Sequence, residues 1–241
     1  VDMLSIFEHK FKEGLQEGEL LVITGDFAHK NVLERIKQQK YDCVFHLAAR
    51  PRVEVSVRDP VTTTEINLFK TVALFNACRD VVKRVVFSSS SSVYGDAQEF
   101  PTKEGHLKTP RSPYALQKLC GEQFARLFKS LYDQDIVSLR YFNVYGPRQY
   151  GDSPYATAIS AWCDATKNKK ELRSDGDGTQ CRDLTYVDDV VSANLLAATT
   201  PNDVGGETFN IGYGEPHSNN EILELFQDRF ENLKIKNAPW R

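Results

Sequence analysis

The sequence predicts an α/β protein built on a doubly wound parallel sheet, and two observations predict it. Short apolar runs without polar alternation recur along the first 142 residues: LLVIT at 20–24, CVFHLAA at 43–49, RVVFSS at 84–89 and IVSLRYF at 136–142. Uninterrupted hydrophobicity of this length marks strands covered on both faces, as in parallel sheets. Between the runs lie HKNVLERIKQQ, VTTTEINLFKTVALFNACRD and SPYALQKLCGEQFARLFKSLYDQ, each with apolar residues three and four apart. Strands alternating with helices of this period imply crossovers that place helices on both sheet faces.

Taken in order, the third helix shows the period best: Leu116, Cys120, Phe124, Leu127 and Leu131 form one stripe, read here as its buried side. After RYFNVYGPRQ the rhythm changes. A loop-rich stretch carrying GDGTQCRD precedes a helix near 187–198, a strand TFNIG and a last helix NNEILELFQDRF. The expected division is a dinucleotide-binding domain over 1–150 and, over 151–241, a smaller lobe that mainly holds substrate at the carboxyl edge of the sheet.

Composition narrows the function classes. A chain of 241 residues with 41% hydrophobic and 26% charged content is an ordinary globular composition. A formal net charge of −3 argues against general nucleic-acid binding, which calls for a basic stripe. No run of 18 apolar residues suggests a membrane span, and VDMLSIFEHKFKEG reads as no secretory signal. Cys43, Cys78, Cys120, Cys163 and Cys181 are odd in number, scattered and without CxxC spacing, the pattern of buried thiols in a reducing compartment. The expectation is a cytoplasmic protein with no structural metal.

A dinucleotide-binding sheet should open with a strand, a glycine-rich turn and a helix, followed about 20 residues later by an acidic residue for the adenosine ribose. No such glycine pattern occurs, and the nearest candidate for the acidic residue is Asp2. The phosphate loop is therefore expected before Val1, and the first βα unit is missing from the given chain.

The chemistry centres on SPYALQK at 112–118, where Tyr114 and Lys118 stand four apart and share one helix face. Alone, such a pair is an ordinary amphipathic surface pair. The stretches VDMLS, ITGDF, FHLAA, VFSSSSSVYGD, SPYALQK, RYFNVYGPRQ and GDGTQCRDLTYVDD, in that order and across nearly the whole chain, carry more. Together they make the sequence similar to the extended short-chain dehydrogenase/reductase family, specifically its NAD-dependent nucleotide-sugar epimerases and dehydratases. The serine-rich SSSSSVYGD resembles the 4-epimerases, and RYFNVYGPRQ with GGETFNIG looks most like those acting on UDP-glucose or UDP-N-acetylglucosamine.

The resemblance implies a Rossmann-like fold, NAD as cofactor and epimerisation at C4 through a transient 4-keto sugar. It places the catalytic tyrosine at Tyr114, the lysine at Lys118 and the serine at Ser90, with Ser89 and Ser91 as alternatives within the run. A lysine ammonium one turn away, with the positive nicotinamide, is expected to favour the Tyr114 phenolate, while Lys118 also holds the nicotinamide ribose. For the cofactor it implies Asp2, Asp26 and Phe27 at the adenosine, Leu47, Ala48 and Ala49 under the phosphates and nicotinamide ribose, and Asn67 and Phe142 near the active site. For the substrate it implies Ser90 at the sugar, and Asn143, Arg182 and Arg241 at the UDP diphosphate, where a guanidinium fork suits the charge and shape.

Three positions depart from the family pattern: Lys70 stands where many members carry glycine, and Ser174 and Asp175 replace apolar residues before GDG. A decarboxylase or dehydratase on the same scaffold is the enzymatic alternative, favoured by an acidic residue in the serine run, which has none. A non-catalytic dinucleotide-binding regulator is the other. The family also implies a homodimer, paired through helices at 60–80 and 112–133.

Overall fold

The computed structural model describes residues 22–39, 41–96, 99–151 and 156–239. In chain order these form α1 (Lys30–Gln38), β1 (Tyr41–His46), α2 (Val53–Arg58), α3 (Pro60–Thr64), a π-helical turn (Glu65–Phe69), α4 (Lys70–Cys78) and β2 (Val82–Ser90). A 3₁₀ turn (Ser91–Tyr94), α5 (Pro113–Tyr132), β3 (Ile136–Tyr141), β4 (Asn143–Tyr145), α6 (Ala158–Lys167), β5 (Leu172–Asp175) and β6 (Cys181–Tyr186) follow. The chain continues through α7 (Val187–Thr199), β7 (Thr208–Ile211), β8 (Pro216–Ser218), α8 (Asn219–Arg229) and β9 (Ile235–Ala238).

The main sheet runs β1-β2-β3-β7, parallel throughout. Its faces explain the unbroken apolar runs. Val85 and Phe87 point to one side, into a cluster with Leu74, Phe75, Ala125, Phe128 and Ile136. Val86 points to the other, where Val137 and Leu139 meet Ala193, Ala197 and Ile211. Each run alternates between two buried faces, so polarity never has reason to alternate along it. A second cluster, Trp162, Leu172, Ile222 and Phe226, organises the smaller lobe around the paired strands β5 and β9.

Local chemistry sets the helix that carries the Tyr–Lys pair. Ser112 caps α5 by accepting the Ala115 N–H at 3.1 Å, Pro113 occupies the first turn where its missing N–H costs nothing, and Asp133 ends the helix in the left-handed region at φ 52°. The same devices start α3, with Asp59 as cap and Pro60 next, and α8, where Ser218 and Glu221 form a capping box.

Several expectations are corrected. The described part of the run at 20–24, Val22 to Thr24, is not a strand. The single helix expected over 61–80 is interrupted by the π-helical turn. The stripe read as the buried side of α5 is largely exposed: Leu116 is 51% accessible, Leu127 47% and Leu131 59%. Tyr114, Lys118, Gly121, Glu122, Ala125 and Phe128 are buried instead. Cys163 and Cys181 are exposed, against the expectation of buried thiols. Residues 187–211, assigned from sequence to the second domain, supply α7 and β7 to the main sheet, so the boundary at 150 does not follow sheet membership.

Candidate active site

Parallel strands end at one edge, and that edge gathers the candidate residues. Beyond β1 come Leu47, Ala48 and Ala49; β2 ends at Ser90; β3 leads through Phe142 to Asn143. Ser90 lies in register with Tyr141, and the N-terminal turns of α5 rise beside them.

Tyr114 is 9% exposed, and its hydroxyl lies near the Ser90 side chain. Its backbone N–H donates to Ser56 Oγ at 3.1 Å, which ties the start of α5 to α2. One turn on, Lys118 is 2% exposed and its Nζ donates to the Ser88 carbonyl at 2.5 Å. That ammonium lies 4.9 Å from the Phe87 ring centroid and 5.9 Å from the Tyr114 ring centroid. Burial drives the Lys118 pKa down to about 8, opposed by the Glu122 carboxylate. Burial likewise raises the Tyr114 pKa above its ordinary value, and the Ser90 hydroxyl only partly offsets it. The expected lowering of the phenol by Lys118 is therefore absent: desolvation of the ring oxygen wins in the protein alone.

The serine run divides by partner. Ser90 lies near the Tyr114 hydroxyl and accepts the Ser92 N–H at 3.2 Å, capping the 3₁₀ turn. Ser89 is 2% exposed and donates to Glu122 Oε1 at 2.5 Å, two turns further along the same helix.

Behind this edge lies a polar network that the sequence reading missed. Glu122 and Arg140, 0% and 1% exposed, form a two-pronged ion pair: Arg140 Nε donates to Oε1 at 2.8 Å and Nη2 to Oε2 at 2.6 Å. Arg140 Nη1 donates to the Tyr94 hydroxyl at 2.6 Å, which donates to Asn210 Oδ1 at 2.7 Å. The signal was present in the spacing, since Glu122 falls four residues after Lys118 and so on its helix face.

His46 is a buried neutral imidazole: its Nε2 lies 2.8 Å from Thr71 Oγ1, and burial with the nearby Lys118 charge pushes its pKa down to about 3. Phe27 packs on this ring at 5.0 Å between centroids and against the core. Asp26 is exposed; it accepts the Ala28 N–H at 3.0 Å and the Lys70 ammonium at 2.6 Å, which together lower its pKa. Lys70, the departure from the family pattern, thus acts on the very carboxylate assigned to the adenine.

Asn67 is buried in the π-helical turn and bonded to Arg50 and Gln117. Asn143 donates from Nδ2 to the Asp183 carbonyl at 2.9 Å. Arg182 is exposed on β6, two residues from Leu184, the register partner of Asn143, and donates to the Cys181 carbonyl at 2.7 Å. Ser174 is buried and Asp175 pairs with Arg173 at 2.6 Å. Asp2 and Arg241 lie outside the described residues.

The edge fits the nicotinamide end of a dinucleotide. Leu47 is 56% exposed beside the small Ala48 and Ala49, so a ligand can approach the backbone there. A lysine ammonium has three N–H donors, and Ser88 takes one of Lys118's. Among the described residues no group of three or more His, Cys, Asp or Glu could hold a metal ion, and no helix is long and apolar enough to cross a membrane.

Residues 7–212 match the NAD dependent epimerase/dehydratase family. The UDP-glucose 4-epimerase of Mycolicibacterium smegmatis is 35% identical over 204 residues, covering 83% of this chain and 64% of that enzyme. The chain thus spans just under two thirds of such a relative's length. Among solved structures, a UDP-N-acetylglucosamine 4-epimerase from Methanobrevibacter ruminantium M1 superposes with TM-score 0.87 at 36% identity, covering 94% of this chain and 72% of the other. A UDP-glucuronic acid 4-epimerase from Bacillus cereus, solved with UDP-glucuronic acid and NAD, superposes at 0.85 with 29% identity, covering 98% and 74%.

Proposed function

The chain belongs to the NAD dependent epimerase/dehydratase family, and from that premise we propose that it epimerises C4 of a UDP-hexose, UDP-glucose or UDP-N-acetylglucosamine, through a transient 4-keto sugar. One observation carries the reading: the Tyr114 hydroxyl lies near the Ser90 side chain at the carboxyl edge of the sheet, with the Lys118 ammonium one turn below. When bound, NAD supplies the acceptor and donor of hydride.

The residues of this chain do the rest. The neutral phenol is the resting form of Tyr114, because burial outweighs the Ser90 hydroxyl. To take the proton that leaves the C4 hydroxyl as hydride departs, Tyr114 must first be the phenolate, which the charge of Lys118 and of the nicotinamide, when bound, would favour; Ser90 bridges that phenolate to the C4 oxygen and relays the proton, and such positioned proton transfer contributes roughly 10²–10⁴-fold. Lys118, charged below about pH 8, holds the nicotinamide ribose with its remaining donors. Leu47, Ala48, Ala49, Asn67 and Phe142 line the cofactor, Asp26 meets the adenine, and Asn143 and Arg182 face the diphosphate.

The functional test is incubation with NAD and each UDP-sugar, read by proton NMR for the C4 epimer. Tyr114→Phe is expected to lower the rate by about 10²-fold or more and leave the melting temperature nearly unchanged. A pentose product with release of carbon dioxide from a UDP-uronate would favour the decarboxylase reading, to which a 32% identical UDP-N-acetyl-alpha-D-glucosaminuronate decarboxylase of Bacillus cytotoxicus gives weight.

The proposed assembly is a homodimer. Its support is the apolar surface of the helices: Val61 is 79% and Phe69 71% exposed, beside the exposed Leu116, Leu127 and Leu131 of α5. Isolated apolar residues on a surface are ordinary, but a set on two adjoining helices marks a contact face.

A further inference from the structure

We infer that Gln117, which stands between the catalytic pair and takes no part in the chemistry, is a positioning residue that locks the cofactor-facing loop after β1 to the catalytic helix through a directed relay of two amides. This rests on the NAD-dependent reading above.

Gln117 is 3% exposed near the start of α5, on a face where an apolar residue would be expected. Its Nε2 donates to Thr63 Oγ1 at 3.1 Å and to Thr64 Oγ1 at 2.9 Å. Its Oε1 accepts from Asn67 Nδ2 at 2.8 Å. Asn67 Nδ2 donates also to the Arg50 carbonyl at 3.0 Å, while Asn67 Oδ1 accepts the Arg50 N–H at 2.7 Å. Both amides therefore spend donor and acceptor on named partners, in the low-dielectric interior where an unmade bond is costly.

The direction of each bond follows from its neighbour. Thr63 sends its own hydroxyl proton to the Asp59 carbonyl at 2.9 Å, so toward Gln117 it can only accept. Gln117 must then present its NH₂ to the threonines and its oxygen to Asn67. Asn67 in turn must present its NH₂ to Gln117 and its oxygen to the Arg50 N–H. A backbone N–H one residue beyond Leu47, Ala48 and Ala49 is thereby held by side chains whose anchor is α5, beside Tyr114 and Lys118. The π-helical turn gives the relay its reach, because it adds a residue to the turn and aims Asn67 between the loop and α5.

The relay makes the loop and the catalytic pair one unit, so that the cofactor bound on the loop arrives at a set distance from Tyr114. Gln117→Leu removes all three Gln117 bonds at nearly constant volume. Two readouts are taken on the full chain: amide hydrogen exchange at Arg50, and the dissociation constant of NAD measured without sugar. The expected result is faster exchange at Arg50 while Val82–Ser90 keeps its protection, with NAD bound about tenfold more weakly and the KM for the UDP-sugar unmoved. Should Gln117→Leu fail to fold, the pair Thr63→Val and Thr64→Val releases the anchor and leaves the Gln117–Asn67 bond in place; the same changes are expected, smaller in size. Wild-type protein that binds NAD together with variants that match it in affinity and in Arg50 exchange overturns the relay and leaves the epimerase reading standing. Wild-type protein that binds no NAD overturns both.

Discussion

At the scale of the residue, Lys118 shows function set against stability. A lysine buried among Phe87, Tyr114 and the sheet is held charged at a cost, which its pKa of about 8 measures against an ordinary value of 10.5. Because the folded value is depressed, the penalty is full below about pH 8 and is relieved as pH rises toward that of the unfolded chain. Lys118→Met is accordingly expected to be more stable than wild type at neutral pH by about 1–3 kcal/mol, with the difference shrinking above about pH 8. Urea denaturation of both proteins across that range checks the sign; a gap that widens with pH would refute it. The same variant should lose epimerase activity, and wild-type NAD affinity should fall as Lys118 loses its proton. Ser90 makes a second point at this scale. Five serines in a row are indistinguishable by type, and only the fold decides that one lies near Tyr114 and its neighbour meets Glu122.

At the scale of the element, α5 sits on the sheet through its smallest and its most polar residues. Gly121 lets the helix approach: a Cβ there would stand 2.6 Å from Phe87 Cζ, and that ring is held edge-on to Phe75 at 5.5 Å and stacked on His46 at 5.7 Å. Alanine would gain about 1 kcal/mol of helix propensity, but overpacking costs about 1–3 kcal/mol. Gly121→Ala is therefore expected to lower the melting temperature and to weaken NAD binding, because Lys118 rests over the displaced ring; a rise in stability would show that Phe87 yields. At the next residue, Glu122→Ala leaves Arg140 charged and unpaired in the interior, at an expected cost of about 3–5 kcal/mol. Replacing both members by apolar residues of similar volume should recover most of that in thermal denaturation. These elements were legible in part. Apolar residues three and four apart placed the helices, whereas the buried face of α5 was misread, because Tyr114, Gln117, Lys118 and Glu122 are residue types that composition assigns to water.

At the scale of the whole molecule, the misread stripe has a use. Leu116, Leu127 and Leu131 follow helical spacing yet remain open in a single copy, as do Val61 and Phe69. Under the proposed homodimer, Leu127→Glu is expected to shift the protein from dimer to monomer in sedimentation velocity, while Leu196→Glu, on α7 at 69% exposure, is expected to leave it unchanged. A wild-type monomer at micromolar concentration would remove the assembly from the proposal. The two lobes differ in what they bury. The main sheet is covered on both faces, while the smaller lobe gathers around Trp162, whose indole N–H is bonded to the Arg173 carbonyl at 2.7 Å.

The sequence by itself determined the alternation of strands and helices from Tyr41 to Tyr141, the shared helix of Tyr114 and Lys118 and the family, because each is written in local period or contiguous motifs. The tertiary structure alone decided that Ser90 is the serine near the tyrosine, that burial raises rather than lowers the Tyr114 pKa, and that Glu122 pairs with Arg140 and Gln117 with Asn67. Those outcomes depend on desolvation and on partners 18 to 50 residues apart in the chain, and no local pattern records which polar groups the fold will bring together out of water.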